Sequence, residues 1–302
     1  MLPVEMMENV KDHIDAPDNF WSDEMVWRRL HEATNEVVRD ISEQDPTFFV
    51  QTTDITFVAD QAVYDLPLNA SLGTRIIFAE NRDNPIGAEI PPGRLRDLLE
   101  YGNSTSVINL SDAYSFALQG DQVRVIPTPS AGKTAALRVW YVPTYGHMMQ
   151  GTASAGGAST LTFFASDPNW STNYGWRDVR DDYFNGMKVM IYEGTSVGDV
   201  REITDYTGGS TFQITVDEAW TSTPDTTSKF AILCPIPEQH HQTVCIRAAL
   251  MCSIKGRTRD KELRSAYYGH LGAPGALKEL LSWVSKRQDA KIETVIPFNV
   301  GA

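Results

Sequence analysis

Cysteine, histidine and long apolar runs are all scarce in this chain, and each scarcity removes a class of function. The three cysteines, Cys234, Cys245 and Cys252, are odd in number and lack C-x-x-C spacing, which argues against a disulfide framework and against a zinc site. Cys245 and Cys252 stand seven apart, two helical turns, as buried apolar thiols would. No apolar stretch approaches the roughly 20 residues of a membrane span. The first twenty residues mix Glu5, Glu8, Lys11, Asp12 and Asp15 with apolar residues, so no signal peptide is expected and synthesis belongs in a reducing cytoplasm.

Catalytic patterns are missing too. There is no G-x-S-x-G elbow, no cysteine in histidine context and no convincing S-x-x-K run, so the chain reads as not an enzyme. Gly208-Gly209 falls between two strand patterns and reads as a hairpin turn rather than a phosphate loop. Asp181-Asp182 and His240-His241 are the only tight groups of metal-ligating types. Adjacent residues on a helix point about a hundred degrees apart, so the histidines are expected to be exposed in a first turn, and neither a metal nor a cofactor is expected.

Basic residues are the minority, 26 against 39 acids, giving a net charge of −13. They are also unevenly placed. Ten Lys or Arg against four acids between Arg247 and Lys291 make +6, which leaves −19 for the rest and suggests faces that meet different partners. Lys255, Arg257, Arg259, Lys261 and Arg264 cluster at a helix junction. Without interleaved aromatics they favour contact with a protein over single-stranded nucleic acid.

What is present is ordered. Ser22 is a candidate N-cap ahead of Asp23 and Glu24, and Val26, Leu30, Ala33, Val37 and Ile41 form one stripe at helical spacing, predicting a helix to about Glu43. Asp45-Pro46 breaks it, and the period turns strand-like: clusters at Phe49 to Leu66 and Ile76 to Phe78, then strands over 114–118, 122–126 and 135–142, with a short helix over 95–101. Gly151 to Thr160 has linker chemistry. Strands over 187–192, 200–206, 211–216 and 229–233 follow, read as a small inserted β-barrel or sandwich. Trp170, Tyr174, Trp176 and Tyr183 there are expected to fill its core, with a glycan-binding surface as the other reading. Helices resume through Val244, Ala248 and Met251 to Gly256, from about Thr258 to His270, and from Leu277 to Val284.

These readings assemble into an α+β chain with a discontinuous helical-bundle/β domain (1–145 plus 234–290), an inserted all-β domain (146–233) and an extended C-terminal tail (291–302). Prolines Pro143, Pro235 and Pro237 flank the insertion.

The segments FWSDEMVWRRLHEATNEVVRDI (20–41), TTDITFVADQAVYDLPL (52–68) and RVWYVP (138–143), closed by long helices, together resemble the head-to-tail adaptor (connector) proteins of short-tailed bacteriophages. FNGMKVMIYEGTSVGDVREITDY (184–206) and VDEAWTSTPDTTSKFAI (216–232) resemble a β-module of phage virion proteins, with Gly194 and Gly198 at a turn. The resemblance implies a structural virion protein of the portal vertex, made in the host cytoplasm. It implies a dodecameric homo-oligomeric ring between the portal protein and the tail nozzle or tail tubular protein, with a tail fibre as a further partner, and DNA ejected through the lumen without sequence-specific binding. The tail is expected to dock on the portal through Ile292, Val295, Ile296 and Phe298, and the basic cluster to form a contact face. A glycan-binding virion module and a polysaccharide-degrading enzyme are the alternatives, and neither accounts for a helix, β, helix order with an insertion.

Overall fold

The sequence predicts one helix near the start, and the chain forms two. The computed structural model describes residues 1–14, 21–71, 76–81, 88–90, 115–120, 122–164, 180–209, 211–256, 260–270 and 273–288. Helix α1 (Pro3–Ile14) buries Met6, Met7, Val10 and Ile14 on one face and leaves Glu5, Glu8 and Asp12 in solvent. Helix α2 (Asp23–Gln44) starts where Ser22 predicts. The Ser22 hydroxyl accepts from the Met25 amide at 3.3 Å, with Asp23 and Glu24 at the positive end of the helix dipole. Its buried set holds the predicted stripe and adds Trp27, Thr34, Val38 and Ser42, because α2 has neighbours on two sides. Asp45 ends it, its carboxylate accepting from the Thr47 amide at 2.9 Å and the Thr47 hydroxyl at 2.7 Å.

Next come β1 (Gln51–Phe57), β2 (Val63–Asp65), a single-turn helix α3 (Leu68–Ser71), β3 (Ile76–Asn81), β4 (Ala88–Ile90), β5 (Ser115–Gln119), β6 (Gln122–Ile126) and β7 (Lys133–Tyr141). They make two antiparallel sheets, ordered β1-β7-β3-β4 and β2-β6-β5. Ile55, Phe57, Tyr64, Phe116, Val125 and Leu137 from both sheets form one buried cluster, a small sandwich with alternate residues inward. On its outer face Arg138 lies opposite Asp54 and grips it bidentately, at 2.7 and 2.9 Å. The expected helix over 95–101 lies outside the described residues.

A third sheet uses β8 (Met149–Thr152), β9 (Ala155–Gly156), β10 (Thr160–Phe164), β11 (Lys188–Glu193), β12 (Val200–Thr207), β13 (Thr211–Val216) and β14 (Lys229–Ile232). Their order, β8-β14-β11-β12-β13-β10-β9, is wholly antiparallel and curls into a half-barrel. Register shifts at Ile191/Glu193 and Ile203/Asp205 supply local bends. The linker expected over Gly151 to Thr160 is not there: these residues form β8, β9 and the start of β10. Their small side chains serve close packing, since a Cβ at Gly156 would sit 2.5 Å from the Pro224 carbonyl oxygen.

Helix α4 (His241–Gly256) returns the chain to the first two helices, and both α1 and α2 pack on it. Helix α5 (Asp260–Tyr268), the two-residue strands β15 (Gly269–His270) and β16 (Ala273–Pro274), and α6 (Ala276–Gln288) complete the layer. Helix α4 buries Val244, Cys245, Ile246, Ala248, Ala249, Leu250 and Cys252, an apolar girdle on every side, as a central helix requires. These helices and the inner half-barrel residues Leu161, Phe163, Ile191 and Phe230 belong to one continuous core. The fold is α+β, as predicted. No helix among the described residues is long and apolar enough to cross a membrane.

Candidate functional site

For a chain without catalytic motifs the candidate site is surface and cleft, and the charged residues come first. Arg247, which opens the basic stretch, is a strut between helices. Its Nε donates to Glu36 Oε2 of α2 at 2.6 Å, its guanidinium lies 5.4 Å from the Tyr267 ring centroid, and it donates to the Tyr268 hydroxyl at 3.3 Å. Of the predicted contact face, Lys261 and Arg264 share α5 and are exposed, with Arg264 bonded to Asp260 at 2.8 Å. Lys255 belongs to α4, but its side chain, like Arg257 and Arg259, lies outside the described residues. So do Ile292, Val295, Ile296 and Phe298, and Trp170, Tyr174 and Trp176.

The adjacent histidines diverge. The His240 ring lies 4.9 Å from that of Trp283, while His241 donates from Nε2 to the Ile236 carbonyl at 2.9 Å. His241 is buried rather than exposed, because it seals the start of α4 beneath the Pro235–Pro237 segment. A different histidine pair exists that sequence reasoning missed. His31 of α2 and His147, between β7 and β8, stack with centroids 3.5 Å apart. The Tyr183 hydroxyl bonds to His147 Nδ1, and Asn35 reaches the His31 ring at 3.2 Å. Burial pushes His31 down to about 4; it also drives His147 far below its usual range, aided by His31, Arg180 and Arg28. Both rings are neutral at neutral pH. More than a hundred residues separate them in sequence, so no local spacing announces the pair.

Asp181 and Asp182 are turn formers. Asp181 accepts from the Gly208 amide at 2.8 Å, and Asp182, at φ +65, accepts from the Asn185 side chain at 2.8 Å. Gly208-Gly209 is the β12–β13 turn, with Gly209 at φ +132. Burial pushes the thiols of Cys234, Cys245 and Cys252 up to about 12, which keeps them protonated. Among the described residues no group of three or more His, Cys, Asp or Glu could hold a metal ion.

A cleft of about 680 Å³ opens where four segments meet: the start of α1, the Phe48–Gln51 approach to β1, the ends of β11 and β12, and the Leu233–Glu238 approach to α4. Phe48 and Ile236 give it apolar wall. Around them stand Glu5, Glu202 and Glu238, with Lys188 the one side-chain cation in the lining. Segments so far apart in sequence carry no shared motif, so the cleft appears only with the fold.

A family model described as SU10 adaptor protein matches residues 4–193, well over half of the 302-residue chain and extending from α1 to the end of β11. No curated protein matches the chain.

Proposed function

The chain belongs to the SU10 adaptor protein family of phage head–tail adaptors, and from that premise we propose that it forms a closed, dodecameric ring between the portal vertex and the tail nozzle of a short-tailed particle. The family match carries the adaptor role. What supports a ring is the helical layer: α4 is enclosed on all sides by helices from both ends of the chain, a rigid body suited to heterologous contact with a neighbouring copy. Residues 1–145 with 234–290 serve as the ring-forming unit. Residues 146–233 are an insertion whose outer face projects outward, a reading favoured by strands that, among the described residues, pair with one another, while its inner face shares the core of the helices.

The charged face of Lys255, Arg257, Arg259, Lys261 and Arg264 contacts an acidic surface of a neighbouring virion protein, and DNA passes the lumen without base readout. The tail docks on the portal through Ile292, Val295, Ile296 and Phe298, an extended segment ordered on assembly. A tail tubular protein or fibre is the partner on the far side.

Negative-stain imaging of the purified protein, alone and mixed with its portal, tests the assembly. Rings that form with the portal, with the insertion on the outside, are expected; a chain that stays monomeric on the portal, or an insertion filling the lumen, overturns the reading. Deleting residues 293–302 is expected to abolish attachment to portal rings, and normal attachment by the truncated chain would refute the docking role of the tail.

A further inference from the structure

Helix α4 stands between two faces of opposite charge. On one side Gln242 bonds to His13, and the Cys245 thiol donates to the Met6 carbonyl at 3.6 Å, so α1 lies there. Arg247 follows Cys245 by two residues, about 200° around the helix at roughly 100° per residue, and it reaches Tyr267 and Tyr268 of α5. Helices α1 and α5 therefore flank α4 on opposite sides. The exposed residues of α1 are Glu5, Glu8 and Asp12, all acids, and they centre on the helix face directly away from Met6, Met7, Val10 and Ile14. Glu5 accepts from the Leu2 amide at 2.7 Å, while Glu8 and Asp12 have no hydrogen-bond or ion-pair partner among the described residues. On α5 the exposed Lys261, Arg264 and Tyr268 fall within about 60° of one another, with Glu262 about 100° away from Lys261. Tyr268 leaves 52% of its surface in solvent, and Tyr and Arg are side chains that protein interfaces favour. Over residues 255–264 five Lys or Arg stand against Asp260 and Glu262.

We propose that neighbouring copies of this chain join through these two faces, Lys261, Arg264 and Tyr268 of α5 on one copy against Glu8 and Asp12 of α1 on the next. The inference rests on the ring reading above and names the acidic surface that its basic face meets. Two complementary faces on opposite sides of one helix make a heterologous contact, so each copy keeps one face free for the next until the circle closes. The ion pair of Arg264 with Asp260 is a weak competitor, because an exposed pair one helical turn apart is screened by solvent.

The test reverses one face at a time in the full chain, Glu8→Lys with Asp12→Lys or Lys261→Glu with Arg264→Glu, and images each protein with its portal present. Either variant alone is expected to lose its rings, the affinity between copies falling by about tenfold or more. An equal mixture of the two is expected to regain them as an alternating circle, since each reversed face then meets its complement on the other variant; such recovery also shows that both variants fold. The milder Glu8→Gln with Asp12→Asn, at exposed positions, should weaken ring formation and lessen its sensitivity to salt. Rings that survive both reversals, or a mixture that recovers none while the neutral variant behaves as wild type, overturn the proposal and leave the ring reading standing. Wild-type protein that forms no ring on the portal overturns that reading, and the inference with it.

Discussion

His31 and His147 are two imidazoles that the fold keeps uncharged. A histidine whose folded pKa is depressed binds its proton more readily when unfolded, so its contribution to stability is present above the unfolded value near 6.5 and fades as pH falls toward the folded value. For His31, held down to about 4, the window runs from about pH 6.5 to 4. Denaturant titrations are expected to show the protein losing about 2 kcal/mol through this residue between pH 7 and 4.5. His31→Gln should lessen that slope, with His147 supplying the remainder, and an unchanged slope would contradict a neutral, half-buried His31. Nothing local in the sequence marks this pair, whereas Ser22 was legible as a cap because capping is decided within four residues. His241 shows the same limit in reverse, since adjacency implied divergence correctly and exposure wrongly: burial depends on Pro235 to Pro237 folding over it.

At the scale of elements, periodicity carried α2, the half-barrel strands β11 to β14 and the three C-terminal helices to within a few residues. Helix α1 escaped because Glu5, Glu8, Lys11 and Asp12 interrupt a stripe, Met6, Val10 and Ile14, that has helical spacing. The cleft and the β8–β10 edge escaped for a different reason: both are made by distant segments, and small residues read as linker when nothing shows the backbone they approach. The Arg247–Glu36 strut joins α2 to α4, and breaking it leaves a half-buried charge alone. Arg247→Ala is expected to lower stability by about 2 kcal/mol, while the pair Arg247→Met with Glu36→Leu keeps most of it, because apolar replacement of both partners removes the desolvation cost. Urea midpoints of the wild type, Arg247→Met, Glu36→Leu and the double variant close the cycle and decide the matter, and additive losses would remove the strut.

Across the whole molecule, hydrogen bonding and apolar burial draw different boundaries. Pairing sets the half-barrel strands apart from the rest, but burial joins them to the helices and isolates the sandwich as the second core. Between the two cores lies a polar junction: Tyr141 donates to Asn69 Oδ1 at 3.1 Å, and Asn69 donates to the Gln51 side chain at 3.1 Å. The sandwich should therefore open on its own. Leu137→Ala, at a site with no exposure, is expected to weaken the sandwich by about 3 kcal/mol. Hydrogen exchange should speed up in β1, β6 and β7 while α4 and β11 keep their protection; acceleration throughout would mean a single cooperative unit.

The central position of α4 also sets a timetable for synthesis. Helices α1 and α2 leave the ribosome with their apolar stripes made, but the helix that covers them begins nearly two hundred residues later. At about 5–20 residues per second this is a wait of roughly 10–40 s. During that time the nascent chain displays Met6, Val10, Leu30 and Val37 to whatever surrounds it, so a chaperone that shields the emerging chain has its clearest purpose in this interval.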